Sequence, residues 1–228
     1  MFAVNFENVS DTSGIDIQDL IPGATSGLKA GSSTDADEIQ IYNSSTGDYK
    51  KFYLFYSTLP FLQGNNYKWI DLDTNQPASY KFTNGLSFWY RSRGTTDVTI
   101  TISGGVSLDA SQSIEIVNGF NMIGNAFPAN FNPNSLGTEY WKNCGAKAGS
   151  STDADEIQIY NPNTSDYKKY YLFYSTLVFL QGNNYKWIDL DTNQPVSNEA
   201  EVMAAGKGAW YRHRGNGFTL TIPSPISE

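Results

Sequence analysis

The chain has 228 residues, with 15 Lys plus Arg against 23 Asp plus Glu and a formal charge of −8. A polyanion is repelled by such a surface, so nucleic acid is excluded as a natural partner. No apolar run approaches the roughly 18 residues of a membrane-spanning helix, so no transmembrane segment is expected. The opening Met1-Phe2-Ala3-Val4-Asn5-Phe6 has neither the charged start nor the long apolar stretch of a signal peptide, and any such peptide is expected to have been removed.

The dominant feature is an internal duplication. Ala30 to Pro77 aligns without gaps on Ala148 to Pro195 at an offset of 118, and Phe88 to Gly94 matches Ala209 to Gly215 at an offset of 121. Aromatic residues make up 14% of the chain, and its 20 Gly residues lie among abundant Asn, Ser and Thr, a composition of short strands and turns. The expected fold is all-β, as two tandem homologous modules, each a β-sandwich or partly open barrel, over residues 1–105 and 106–228.

In chain order, Glu38 to Tyr42 alternates apolar with polar residues and predicts a strand, closed by the turn cluster Asn43 to Asp48. Tyr49 to Ser57 is a nearly continuous apolar run, as in a strand buried on both faces. Tyr67 to Asp73 sets Trp69, Asp71 and Asp73 on one face against Ile70 and Leu72 on the other. Phe88 to Arg93 and Val98 to Ile102 complete the module. The second copy repeats these elements, and Asn198 to Ala205 predicts one helical turn. Ser113 to Val117, ahead of the second module, reads as a further strand. The matching strand of the first module would lie ahead of Met1. Its removal from this chain is therefore expected, the alternative being a strand from a neighbouring molecule.

Gly119-Phe120-Asn121-Met122-Ile123-Gly124-Asn125-Ala126-Phe127-Pro128, then Asp155 to Tyr160, then Tyr167-Lys168-Lys169-Tyr170-Tyr171, and finally Gly208-Ala209-Trp210-Tyr211 resemble the motifs of a group of secreted bacterial tandem β-module proteins. The resemblance implies an extracellular or cell-surface module and brings no catalytic residues with it. Ala126 and Phe127 depart from the Pro-Tyr of that pattern, and the first module has Ala3-Val4 in place of the Gly-Asn pair.

Chemistry shared by both modules excludes two nucleophile systems. His213 is the single histidine and faces Ser92 in the alignment, while Cys144 is the single cysteine and faces Ser26. No catalytic constellation is common to the two copies, so an enzyme is not expected; the remaining enzymatic alternative is two-carboxylate glycoside hydrolysis by Asp71 and Asp73 or Asp189 and Asp191. Asp71, Asp73 and Asn75, with Asp189, Asp191 and Asn193, also imitate the first oxygen ligands of a calcium loop, although Gln76 stands where that loop has Gly. No other cofactor is expected. Glycan binding is expected of Tyr67, Trp69, Trp89, Tyr90, Arg91 and Arg93, and of Tyr185, Trp187, Trp210, Tyr211, Arg212 and Arg214, because aromatic faces cover sugar rings while polar neighbours take the hydroxyls. The expected function is non-enzymatic adhesion to a glycan or surface protein, with a structural role in a surface layer or appendage as the rival.

Overall fold

In the computed structural model, residues 1–7, 13–25, 27–197 and 202–225 are described. The first half contains β1 (Phe2–Ala3), β2 (Ile15–Asp16), the single turn α1 (Ile17–Leu20), β3 (Glu38–Asn43), β4 (Asp48–Leu54), β5 (Trp69–Asp71), β6 (Lys81–Phe82) and β7 (Ser87–Arg91). The second contains β8 (Ser111–Ile116), β9 (Gly119–Gly124), α2 (Thr138–Asn143), β10 (Glu156–Asn161), β11 (Asp166–Leu172), β12 (Trp187–Asp189), β13 (Gln194–Pro195), β14 (Gly208–His213) and β15 (Phe218–Pro223).

The protein is all-β, in two similar halves built on antiparallel sheets, and neither sheet closes into a barrel. The main sheets run β1-β7-β3-β4-β5 and β13-β12-β11-β10-β14-β9. Register is identical in the two copies: Glu38 faces Tyr53 and Arg91, and Glu156 faces Tyr171 and Arg212. This follows from the alternation of Ile39 and Ile41 with Glu38 and Gln40, since a slip of one residue would turn Ile39 out of the core. The first core centres on Ile39, Phe52, Leu54, Trp69, Phe82 and Phe88, and the second on Ile157, Leu172, Trp187, Tyr211, Leu220 and Ile222. In each, one side-chain amide clamps the buried tryptophan strand. Gln18 accepts from Trp69 N–H and donates to the Trp69 and Ala78 carbonyls, and Asn134 does the same for Trp187 and Val196.

The halves meet about a pseudo-two-fold axis. Ala3 N–H donates to Gly206 O at 3.0 Å and its counterpart Gly124 N–H donates to Gly85 O at 2.8 Å. The bridges Phe2–Lys207 and Leu86–Ile123 are likewise equivalent. Gly is needed at the axis: a Cβ on Gly124 would lie 2.3 Å from that of Ala3, and one on Gly208 would lie 1.8 Å from Ser87 Oγ.

Several sequence expectations need correction. The strand around Trp69 ends at Asp71, so Leu72 falls in a turn and is exposed, while Trp69 and Ile70 are both buried. Val98 to Ile102 keeps its alternation but is not a strand, whereas its counterpart β15 is one and pairs with β8. Of the helical turn expected over 198–205, residues 198–201 lie outside the described residues; Val202 to Ala205 form no helix, and Met203 bridges to Phe131. Among the described residues no helix is long and apolar enough to cross a membrane.

Candidate functional site: paired aromatic loop tips

The residues singled out for glycan binding separate into four environments, of which the last, that of Tyr67 and Tyr185, lies at the roots of two surface loops. Trp69, Trp187 and Tyr211 are fully buried and belong to the cores, so they cannot meet a ligand. Short strands with aromatic residues on both faces gave no sequence signal to distinguish these rings from exposed ones.

The second environment is the seam between the halves. Trp89 packs edge-on against Tyr160 and Trp210 against Tyr42, with ring centroids 5.1 and 5.0 Å apart. Phe120 adds a further ring on Trp210, and the Arg212 guanidinium lies over Phe120 at 5.3 Å. Arg91 is exposed beside this seam. These indoles hold the protein together rather than face solvent.

The third is a buried carboxylate hub in each half. Asp37 accepts from Lys29 N–H, Arg93 N–H and the Tyr90 hydroxyl, and Arg93 also pairs with Glu38 at 3.3 Å. Asp155 accepts from Lys147 N–H, Arg214 N–H and Tyr211 hydroxyl, and its copy adds His213 Nδ1 at 2.8 Å; Arg214 lies 3.6 Å from Glu156. Asp37 and Asp155 are both 0% exposed, and three or more donors each offset the cost of burying them. Burial and the Asp37 carboxylate push the Tyr90 phenol far above its usual range. His213 sits next to a carboxylate as a catalytic imidazole would, but its Nε2 is engaged by Asn216 O and the residue is 1% exposed. That arrangement fixes a loop and offers nothing to a substrate. Cys144 is half-buried, and desolvation pushes its thiol up, away from nucleophilic behaviour.

The carboxylates proposed for calcium or hydrolysis lie at the ends of β5 and β12, where Asp71 and Asp189 are partly buried, and in the exposed turns that follow, which hold Asp73 and Asp191. Lys50 Nζ pairs with Asp71 at 2.7 Å and Asp73 at 2.8 Å, and Lys168 pairs with Asp189 and Asp191 at 2.7 and 2.6 Å. Asp71 also accepts from the Asp73 and Thr74 N–H groups, closing the turn. Asn75 and Asn193 take left-handed φ values of 55° and 53° and accept from the Tyr53 and Tyr171 hydroxyls. Partial burial pushes the Asp71 carboxyl up, but the Lys50 ammonium and the turn N–H groups outweigh it and hold it below the usual range. A general acid needs the opposite shift. A groove of about 490 Å³ between the halves contains a single carboxylate, Glu115, among Tyr42, Lys50, Tyr80 and Asn121, so it lacks the pair that glycoside hydrolysis requires.

What remains is a surface feature that the sequence reading passed over. Between β4 and β5, and again between β11 and β12, a ten-residue loop over 57–66 and 175–184 ends in a 3-10 turn and projects its apolar residues outward. Phe61 is 80% exposed and Phe179 81%, with Leu59, Leu177 and Val178 exposed beside them. Both loops are braced at their bases. Ser57 N–H donates to Asn66 Oδ1 and Asn66 Nδ2 returns to Ser57 O, while Gln63 Nε2 reaches Thr58 O; Asn184, Ser175 and Gln181 repeat all three bonds.

At the root of each loop a tyrosine pair is exposed or half-buried: Tyr56 with Tyr67 and Tyr174 with Tyr185, with centroids 5.4 Å apart in both copies. Tyr67 and Tyr185 hold φ values of 62° and 60°, a left-handed conformation that costs a bulky residue about 1–2 kcal/mol. Strain of this kind, kept in both copies, is typical of residues held for a purpose. The available signal was Pro60-Phe61-Leu62 beside Val178-Phe179-Leu180, an apolar segment retained between turn residues through the duplication.

Comparison with family models, with curated proteins and with solved structures gives no match for this chain.

Proposed function

We propose that this protein is a non-enzymatic binding protein of the extracellular space or cell surface, and that it engages glycan through the two loops over 57–66 and 175–184. The observation that carries this reading is the exposure of Phe61 and Phe179 at the tips of loops closed at their bases by the Ser57–Asn66 and Ser175–Asn184 bonds. A soluble protein rarely keeps so apolar a tip without a use for it. The Tyr56–Tyr67 and Tyr174–Tyr185 pairs offer aromatic faces for the apolar side of a pyranose, and Asn65 and Asn183 supply amides for its hydroxyls. Bracing of the loops lowers the entropy lost on binding, and two equivalent sites on one body give avidity towards a repeating surface.

A glycan array probed with the full chain, with Tyr67→Ala plus Tyr185→Ala, and with Phe61→Ser plus Phe179→Ser tests this. Glycan spots bound by the wild type and lost in both double variants support the reading; an array with no bound spot overturns it.

A structural role in a surface layer or appendage is the second reading. It is favoured by the segment Val98 to Ile102, which pairs with no strand among the described residues and carries no charge and no proline to discourage strand pairing. Calcium is not required by either reading, since the oxygen ligands in question already hold Lys50 or Lys168.

A further inference from the structure

The register of the sheets sorts their basic residues into two kinds. Lys50 and Lys168 stand across from Ile41 and Ile159, on the face that carries the core, and each holds a pair of aspartates. The next residue along each strand points the other way. Lys51 stands across from Gln40 and Gln40 across from Trp89, with Arg91 across from Glu38; Lys169 and Arg212 repeat these positions around Gln158, Trp210 and Glu156. Paired positions share a face, so Lys51, Arg91, Lys169 and Arg212 lie on the face of their sheet that carries the seam aromatics.

Among the described residues none of these four cations has a carboxylate partner, although the chain carries 23 acidic against 15 basic residues. The acids at the same sheet positions are Glu38 and Glu156, and both are buried. Each accepts from a glutamine amide, of Gln40 or Gln158, and pairs with an arginine, Arg93 or Arg214. Their charge is already met. Glu115, which lines the groove beyond Tyr42, accepts from the Thr219 hydroxyl at 2.8 Å. Arg212 rests on the Phe120 ring, a contact that leaves its charge without a counter-ion.

The same face carries a ribbon of rings that crosses from one half to the other. Phe120, Trp210, Tyr42 and Tyr49 follow one another at centroid separations of 5.8, 5.0 and 5.3 Å, and Trp89, Tyr160 and Tyr167 at 5.1 and 5.4 Å. The two runs come together at Tyr49, whose phenol is pushed up by burial and then by Tyr167 and Tyr42 beside it. The indoles form the base of the ribbon. Tyr49 and Phe120, each 38% exposed, present ring surface to solvent, and Tyr42, Tyr160 and Tyr167 are half-buried between them and the indoles.

We propose that this face binds an acidic polysaccharide, one that bears carboxylates at intervals, laid across both halves over Tyr49 and Tyr167. The rings cover the apolar sides of successive sugars. Arg91 and Arg212 take carboxylates through their planar N–H forks, while Lys51 and Lys169 act as point charges. The spacing of the acids follows from the charge of the whole chain. A net charge of −8 repels a densely charged polymer such as a nucleic acid. Screening confines exposed charges to about 8–10 Å at ordinary salt, so isolated carboxylates sense the four cations rather than the acidic remainder. The loops over 57–66 and 175–184 contribute no residue to this face, so the site stands apart from the loop reading and survives its failure.

Titration of the full chain with octasaccharides of hyaluronan and of unsulfated chondroitin, each with one uronate per two sugars, tests the proposal beside their carboxyl-reduced forms. Saturable binding of at least one acidic octasaccharide is expected, with its reduced form at least about tenfold weaker. Lys51→Gln plus Lys169→Gln, and Arg91→Gln plus Arg212→Gln, are each expected to weaken it at least about tenfold while melting within about two degrees of the wild type, since the side chains removed hold no partner. Tyr49→Ala plus Tyr167→Ala is expected to weaken it about tenfold through lost stacking. Phe61→Ser plus Phe179→Ser should leave it within about twofold, which separates this site from the loops. Failure of both acidic octasaccharides to bind, equal binding of the reduced forms, or indifference to the cation variants overturns the proposal. So does loss of binding in the phenylalanine variant, or a single-stranded DNA octamer that binds as tightly.

Discussion

Trp89 of the first half meets Tyr160 of the second edge-on, with ring centroids 5.1 Å apart, and the same contact recurs as Trp210 on Tyr42 at 5.0 Å. Each pair joins β7 or β14 of one sheet to β10 or β3 of the other, so the seam is self-complementary. Such isologous packing is expected to make the two cores unfold together rather than in sequence. Trp89→Ala and Trp210→Ala are each expected to cost about 2 kcal/mol, from lost burial plus the aromatic pair. Calorimetry checks this: one transition is expected for the wild type, and two resolved transitions would show the halves to be independent.

The carboxylate hubs are expected to be the least tolerant polar positions. Asp37→Ala leaves the Lys29 and Arg93 amides and the Tyr90 hydroxyl without their acceptor, at a cost of about 3 kcal/mol or more. Asp73→Ala, on an exposed turn beside Lys50, is expected to change stability by less than about 1 kcal/mol. Denaturant titrations of the two variants separate these outcomes, and equal costs would contradict the distinction.

His213 gives a pH signature that belongs to the second half alone. Burial pushes the imidazole down, but the Asp155 carboxylate and the Asn216 carbonyl outweigh it, so its folded pKa is raised above 6.5. A group whose folded pKa is raised stabilises fully below its unfolded pKa and loses that contribution as pH rises through the folded value. The melting-temperature difference between the wild type and His213→Ser is therefore expected to be largest below about pH 6.5 and to shrink at higher pH. A difference that stays constant from pH 5 to pH 9 would show that the imidazole does not titrate on this pair.

Calcium is expected to shift the melting temperature little, because a cation at Asp71 and Asp73 must displace the Lys50 ammonium held at 2.7 and 2.8 Å. Thermal melts in chelator and in excess calcium check this; a rise of ten degrees or more would mean that the carboxylates serve as ligands.

The sheets were legible in the sequence because Ile39 and Ile41, and Ile157 and Ile159, alternate at the period of a half-buried strand, and the duplication fixed the register twice. The site was not. Composition marks Trp69 and Tyr67 alike as aromatic, but Trp69 follows a left-handed Tyr67 that reverses the chain and drops the indole under the sheet while the phenol stays outside. Beside it stands the Ser57–Asn66 clamp, a contact between residues nine apart, which no local pattern reveals. The apolar tip left only the short segment Pro60-Phe61-Leu62, kept as Val178-Phe179-Leu180, and nothing in its composition says that it points outward. The seam escaped because Trp89 and Tyr160 come from different copies and no periodicity relates them.

The most direct test of the paired-tip account is dissociation from a dense surface of the glycan that the array identifies, measured for the wild type, Phe61→Ser, Phe179→Ser and the double variant. Each single variant should leave about ten to a hundred times faster than the wild type, the double variant should not be retained, and all four should melt within about two degrees of one another, because a phenylalanine 80% exposed contributes little to the fold. Equal retention of all four proteins would contradict the claim that these two loops carry the binding.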